Sequence, residues 1–216
     1  MRDIIPICCA FFLAILILFF YPNNEVKLQP GDISFTSINA YNDGFEVISL
    51  VNIPSNTTIH FTDSEWNGNR FGADESDMVW NTGGQVIKAG STVSFTNLGS
   101  NPRVSIGTLK NKLRISKKKE AIFAYLGSTR MPTVFLAAVG NDEFAYGTLI
   151  NTSLQMDKSA LTFPKGTTYA SYQGPYIYEN RDEFYKELRK LSNYEFHKLK
   201  RTKDRNGIYE LAPRSQ

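Results

Sequence analysis

The chain holds two cysteines, Cys8 and Cys9, both inside an N-terminal apolar run, and none from residue 10 onward. That absence excludes a disulfide framework, a thiol nucleophile and a cysteine-ligated zinc site from everything past the run. A fold there must stand on its apolar core alone. Histidine is as scarce, with His60 and His197 the two present. Neither has a Gly-x-Ser-x-Gly elbow near it, so a Ser-His-Asp hydrolase is not expected. No glycine loop of the phosphate-binding kind is present, and no repeat of fixed period appears.

Nor is there a large excess of charge. The net charge is +3, from 24 Lys and Arg against 21 Asp and Glu. Its distribution is uneven. Residues 31–109 carry 8 acidic and 3 basic side chains, residues 110–216 carry 19 basic and 11 acidic. This gives a dipolar surface pattern suited to self-pairing or to an anionic polymer. Aromatics at 13% and charged residues at 21% make the composition that of a folding chain.

What is there begins with residues 4–21, almost wholly apolar and preceded by Arg2. Eighteen such residues are just long enough for a membrane-spanning helix. No pair of small residues follows at the spacing a signal peptidase needs, so residues 1–22 read as an uncleaved signal anchor in preference to a removed signal peptide. The expected location is the membrane, with the domain outside the cytoplasm, or secretion if the segment is cleaved. Residues 23–30, rich in polar residues and closed by Pro30, read as a linker. A domain over 31–197 and a basic tail over 198–216 follow.

The domain is read as mainly β, from Gly31. Ile33 and Phe35 alternate with polar residues, then Asn42-Asp43-Gly44 gives a tight-turn signal between antiparallel neighbours. From Gly44 to Trp66 the sequence reads as a strand, a turn at Pro54 and a second strand. Phe45, Val47, Ile48 and Leu50 make the first strand apolar on both faces, as for an interior strand. In the second, Ile59 and Phe61 point one way. Thr58, His60 and Thr62 point the other way, toward an exposed or half-exposed face. Trp66 is expected as a surface aromatic lidding the core, with its N–H near water. Further strands are expected at Met78–Asn81, Ser91–Thr96, Ala121–Leu126 and Pro132–Val139, with Leu113 and Ile115 continuing the pattern and Lys117–Lys119 as a solvated tip. Short strands between turn signals point to a sandwich or barrel. One late helix is expected, capped by Asn180 with Glu183 three residues on. Phe184, Leu188 and Leu191 form its apolar face. Ile208-Tyr209 is a candidate edge strand in the tail.

The order of short motifs resembles a family. Gly31-Asp32-Ile33, Asn42-Asp43-Gly44-Phe45 and Thr58-Ile59-x-Phe61-Thr62-Asp63-x-x-Trp66 are followed by Lys88-Ala89-Gly90, Phe123-Ala124-Tyr125 and Ser159-Ala160-Leu161. The series is similar to an all-β domain of bacterial secreted and surface proteins, itself similar to lamin-tail-type immunoglobulin-like sandwiches. The resemblance implies an antiparallel β-sandwich with a C-terminal helix, here preceded by an N-terminal hydrophobic helix. It implies no catalytic residues.

The candidate site is the loop from Asp63 to Asp77. Asp63, Glu65, Asp74, Glu75 and Asp77 offer the hard oxygen ligands that calcium requires, although their spacing matches no EF-hand loop. Two of them would serve a glycoside hydrolase only with a sugar-sized cleft between them. The basic run Lys110, Lys112, Arg114 and Lys117–Lys119 lacks interleaved aromatics, so nucleic acid is not an expected partner. The expectation is therefore a non-catalytic module for binding or attachment, with a protein or polysaccharide ligand and residues 4–21 in the membrane. A calcium-dependent module is the alternative, and a carboxylate hydrolase the least favoured.

Overall fold

The computed structural model describes residues 27–73, 75–142, 144–176, 179–197, 200–203 and 209–212. The expected signal anchor lies outside them, as do parts of the linker and the tail. Among the described residues no helix is long and apolar enough to cross a membrane.

In chain order the strands are β1 (Ile33–Asn39), β2 (Gly44–Ser49), β3 (Thr58–Thr62), β4 (Asp77–Asn81), β5 (Thr92–Thr96), β6 (Arg103–Val104), β7 (Thr108–Lys110), β8 (Ala121–Ser128), β9 (Met131–Gly140), β10 (Ala160–Thr162) and β11 (Tyr169–Tyr172). Helix α1 (Arg181–Leu188) and a 3-10 turn (Leu191–Asn193) lead to β12 (Tyr194–His197), β13 (Lys200–Lys203) and β14 (Tyr209–Ala212). Two six-stranded sheets result, in the orders β12-β11-β1-β2-β5-β6 and β10-β9-β8-β3-β4-β7. The pairings are antiparallel except for β9 with β10, which is parallel. The fold is thus mainly β and sandwich-like, with a mixed second sheet. In the tail, β13 and β14 pair with each other as a separate two-stranded sheet.

Local chemistry explains the junctions. Asp43 takes a φ of 47°, and the chain reverses so that β1 and β2 run antiparallel with Gly44 opening β2. That is the hairpin the Asn-Asp-Gly signal predicts. The turn at Pro54 does something different. It carries the chain from the first sheet to the second, so β2 and β3 do not pair. They face each other through the core. Phe45 and Phe61 sit 4.9 Å apart between ring centroids, and Phe35, Phe95 and Trp80 complete the cluster at 4.6–6.3 Å. Rings at these distances add edge-on and offset contacts to the area they bury. Leu28, in the stretch read as linker, also packs into this core. Leu113 and Ile115 are buried there too, outside any strand.

The second sheet has another covered face. Trp66, Phe71, Phe123, Tyr125, Phe135, Tyr146 and Leu154 form a separate apolar cluster. The loops after β3 and β9 supply Trp66, Phe71, Tyr146 and Leu154. This corrects the expected half-exposed face of β3: His60 is 5% exposed, its ring stacked on Tyr125 at 5.2 Å. Trp66 is corrected as well. It is 5% exposed, and its Nε1–H donates to the Ile150 carbonyl at 2.8 Å in place of water.

The late helix starts where its cap signal predicts. Asn180 Oδ1 accepts from the Glu183 N–H at 3.0 Å. Phe184 and Leu188 are buried, but Leu191 falls beyond the helix and is exposed. Tyr185 donates its hydroxyl to the Gly31 carbonyl, and Arg181 reaches Asp32 at 2.5 Å. These bonds fasten α1 to the start of β1.

Candidate carboxylate cluster

Strand order brings the site together. β3 lies between β8 and β4, with Thr62 opposite both Phe123 and Asp77. Asp63 leaves β3, Glu75 lies just before β4, and Glu120 just before β8. All three are therefore at one end of neighbouring strands. Each offers a carboxylate oxygen, and these oxygens lie within 4.8 Å of one another. Asp63 is 8% exposed and Glu120 5%, while Glu75 is exposed.

Both buried carboxylates accept backbone donors: Asp63 Oδ1 from the Ser76 N–H at 2.6 Å, and Glu120 Oε2 from the Ser116 N–H at 2.6 Å. Glu120 is held from its other end, where its own N–H donates to Asn141 Oδ1 at 2.7 Å. These bonds favour the charged form but do not outweigh burial. Loss of water pushes Glu120 up to about 9, helped by the charges of Asp63, Glu75 and Asp43. Burial likewise pushes Asp63 up to about 6, with Glu75 adding repulsion. Glu120 thus holds its proton at neutral pH, the expected response of a like-charged buried group.

The other carboxylates of the loop have separate roles. Glu65 is turned outward to Lys119 at 2.7 Å. Asp77 is shared by His60 Nδ1 at 3.3 Å and the Tyr125 hydroxyl, which donates at 2.5 Å. Burial and the bond to Asp77 raise the Tyr125 pKa. Arg130 holds the loop from outside by donating to the Ala73 and Glu75 carbonyls. Asp74 lies outside the described residues. Of the five expected ligands, then, Asp63 and Glu75 converge, and Glu65 and Asp77 do not. Glu120 is the member that sequence reading missed. It follows Lys117–Lys119, which read as a solvated tip, and only the pairing of β3 with β8 reveals its partners.

The donor set fits a hard cation. Calcium binds oxygen at about 2.3–2.6 Å, so oxygens on opposite sides of one ion stand about 5 Å apart, and this cluster falls within that spread. Three carboxylates leave several coordination positions for carbonyls or water. Glycoside hydrolysis would require two carboxylates that flank a bound sugar. Four cavities of about 310–430 Å³ are lined by other residues.

Comparison of the chain with protein-family models, curated proteins and solved structures finds no match.

Proposed function

We propose that this chain is a non-catalytic β-sandwich module for binding or attachment, exported or tethered to a membrane through residues 4–21. One observation supports it above others: the side chains able to do chemistry near the acidic loop are engaged in holding the fold. His60, Asp77 and Tyr125 hold one another, Glu65 holds Lys119, and Asp63 and Glu120 are buried under backbone donors. None of the cavities described above opens between two carboxylates. Kinship with lamin-tail-type immunoglobulin-like sandwiches belongs to the same proposal, supported by the two facing sheets and the late helix. The test is turnover. The full chain is incubated with panels of chromogenic glycosides, esters and phosphodiesters, and no hydrolysis above blank is expected. Hydrolysis that disappears in Glu120→Gln or Asp63→Asn overturns the reading.

A second reading is favoured by the convergence of Asp63, Glu75 and Glu120: the module binds calcium, and the ion fixes the loop end. Thermal melting in calcium and in chelator tests it. Coincident curves remove it.

A further inference from the structure

The two ends of the sandwich differ in charge. Lys27, the first described residue, lies at one of them. There Lys27 and Gln29 share a groove of about 400 Å³ with Pro54, Asn56, Leu126 and Val134. The Gly83–Lys88 segment joins the same end, because the Asn56 N–H donates to the Gly83 carbonyl at 2.6 Å and Ile53 pairs with Ile87. Residues 27–31, 50–58, 82–91 and 126–134 together contain Lys27, Lys88 and Arg130 and no Asp or Glu. Arg130 turns away to the Ala73 and Glu75 carbonyls, so Lys27 and Lys88 are the exposed charges of these segments. Helix α1, on the first-sheet side, carries both signs. The opposite end holds the carboxylates. Asp63, Glu75 and Glu120 converge there, and Asp43 is near enough to act on Glu120. Thr57 and Asp63 flank β3, so six residue steps, about 20 Å, separate the two ends along that strand.

The chain preceding Lys27 decides what the acid-free end faces. Residues 22–26 are five in number and follow the apolar run that ends at Tyr21. From Tyr21 to Lys27 a chain fully extended reaches about 20 Å. The headgroup layer of a bilayer takes about 7 Å of that. Lys27 and the end it belongs to are therefore held within about 15 Å of the headgroups once residues 4–21 span the membrane. The side chains suit that neighbour. Val86 is 48% exposed, and Met131, at the tip of the β8–β9 hairpin that Leu126 and Val134 enter, is 67% exposed. Apolar side chains with lysines beside them fit the boundary between headgroups and acyl chains. Ser55, Asn56 and Thr57 offer hydroxyls and an amide to headgroup phosphates and esters. Anionic lipid attracts Lys27 and Lys88 and repels the carboxylate end, so charge selects the same orientation as the short connection.

We infer that the acid-free end rests on an anionic bilayer surface and that the carboxylate cluster is held out at the far end. The inference rests on the reading of residues 4–21 as the membrane tether. It is tested with the full chain carrying Cys8→Ala and Cys9→Ala and one added thiol, Val86→Cys or Lys118→Cys, both at exposed positions. Each is labelled with a fluorophore and reconstituted into vesicles of equal phosphatidylcholine and phosphatidylglycerol with a nitroxide on the headgroups. The label at position 86 should be quenched more strongly than that at position 118, with melting temperatures near wild type. Lys27→Gln and Lys88→Gln should each lower the ratio of docked to undocked chains about fivefold, the scale of one basic side chain at an anionic surface, and so narrow the difference. Where Val86→Cys does not fold, Ser55→Cys takes its place. Equal quenching at both positions in chains that float with the vesicles overturns the inference and leaves the tether intact. Stronger quenching at position 118 does the same. Protection of the position-86 label that persists in detergent and grows with chain concentration puts a second copy on this face, and also overturns it. Chains that fail to float with the vesicles defeat the tether reading itself.

Discussion

Asp63 and Glu120 bring carboxylate oxygens within 4.8 Å of each other although both side chains are buried. Two strands that pair across the middle of the second sheet force this approach. Glu75 joins them from the segment just before β4, so three carboxyl groups are crowded together. The clearest measurable consequences follow from it.

Stability should fall as pH rises in chelator. Asp63 and Glu120 both bind protons more tightly folded than unfolded, with folded values of about 6 and about 9 against ordinary values of 3.8 and 4.5. Through that interval the folded state holds more protons, so unfolding becomes easier as pH climbs from about 4 to about 9. Each unit of raised pKa is worth about 1.4 kcal/mol, so the loss over the interval is several kcal/mol, most of it from Glu120. Asp142 and Glu187, whose pKa values are lowered by hydrogen bonds and Lys partners, act oppositely at acid pH. Urea unfolding at pH 5 and pH 9 checks this, and Glu120→Gln should flatten most of the slope.

Calcium binding, on the second reading, should release protons. Glu120 is protonated at pH 7 and must ionise to serve as a ligand. Titration calorimetry in buffers of different ionisation enthalpy should show about one proton released per ion at pH 7, with affinity rising toward pH 9. At a hundredfold excess over the dissociation constant the ion should stabilise the fold by about 2.7 kcal/mol. Glu120→Gln should abolish the effect.

Asp77 is expected to act through structure alone. Asp77→Ala leaves the buried Tyr125 hydroxyl and the His60 ring without their shared acceptor. The cost should be about 2–3 kcal/mol. Tyr125→Phe, which leaves the His60 bond intact, should cost less. Denaturant midpoints for the two variants check the order.

Phe61→Ala should cost about 3–5 kcal/mol. Its ring touches Phe35 and Phe45 of β1 and β2, Phe95 of β5 and Trp80 of β4, so it joins the two sheets. A shift below about 1 kcal/mol in urea unfolding would contradict the core described above.

Much of the fold was legible because its signals are local. The Asn42–Gly44 turn, the alternation at Ile33 and Phe35, the Asn180 cap and the apolar runs at Ala121 and Pro132 each depend on neighbours in sequence. The assignment of β2 and β3 to different sheets does not, since a turn at Pro54 serves a hairpin and a crossover equally well. The burial of His60 and Trp66 was missed for a related reason. His60 is covered by Tyr125 of β8, and Trp66 by Phe135 of β9 and the Ile150 backbone, all distant in sequence. One sign was available: Ile122 and Phe123 are adjacent and both apolar, so β8 needed cover on both faces, and so did β3 beside it. Glu120 was hidden by its lysine neighbours, which give no hint of a buried carboxyl.

The most direct measurement is the carbon-13 titration of the Asp63 and Glu120 carboxyls in cation-free protein and again with calcium. The account predicts midpoints near pH 6 and pH 9 in chelator, and calcium-bound signals that stay ionised at neutral pH. Midpoints near 4 for both groups, unmoved by calcium, would contradict it.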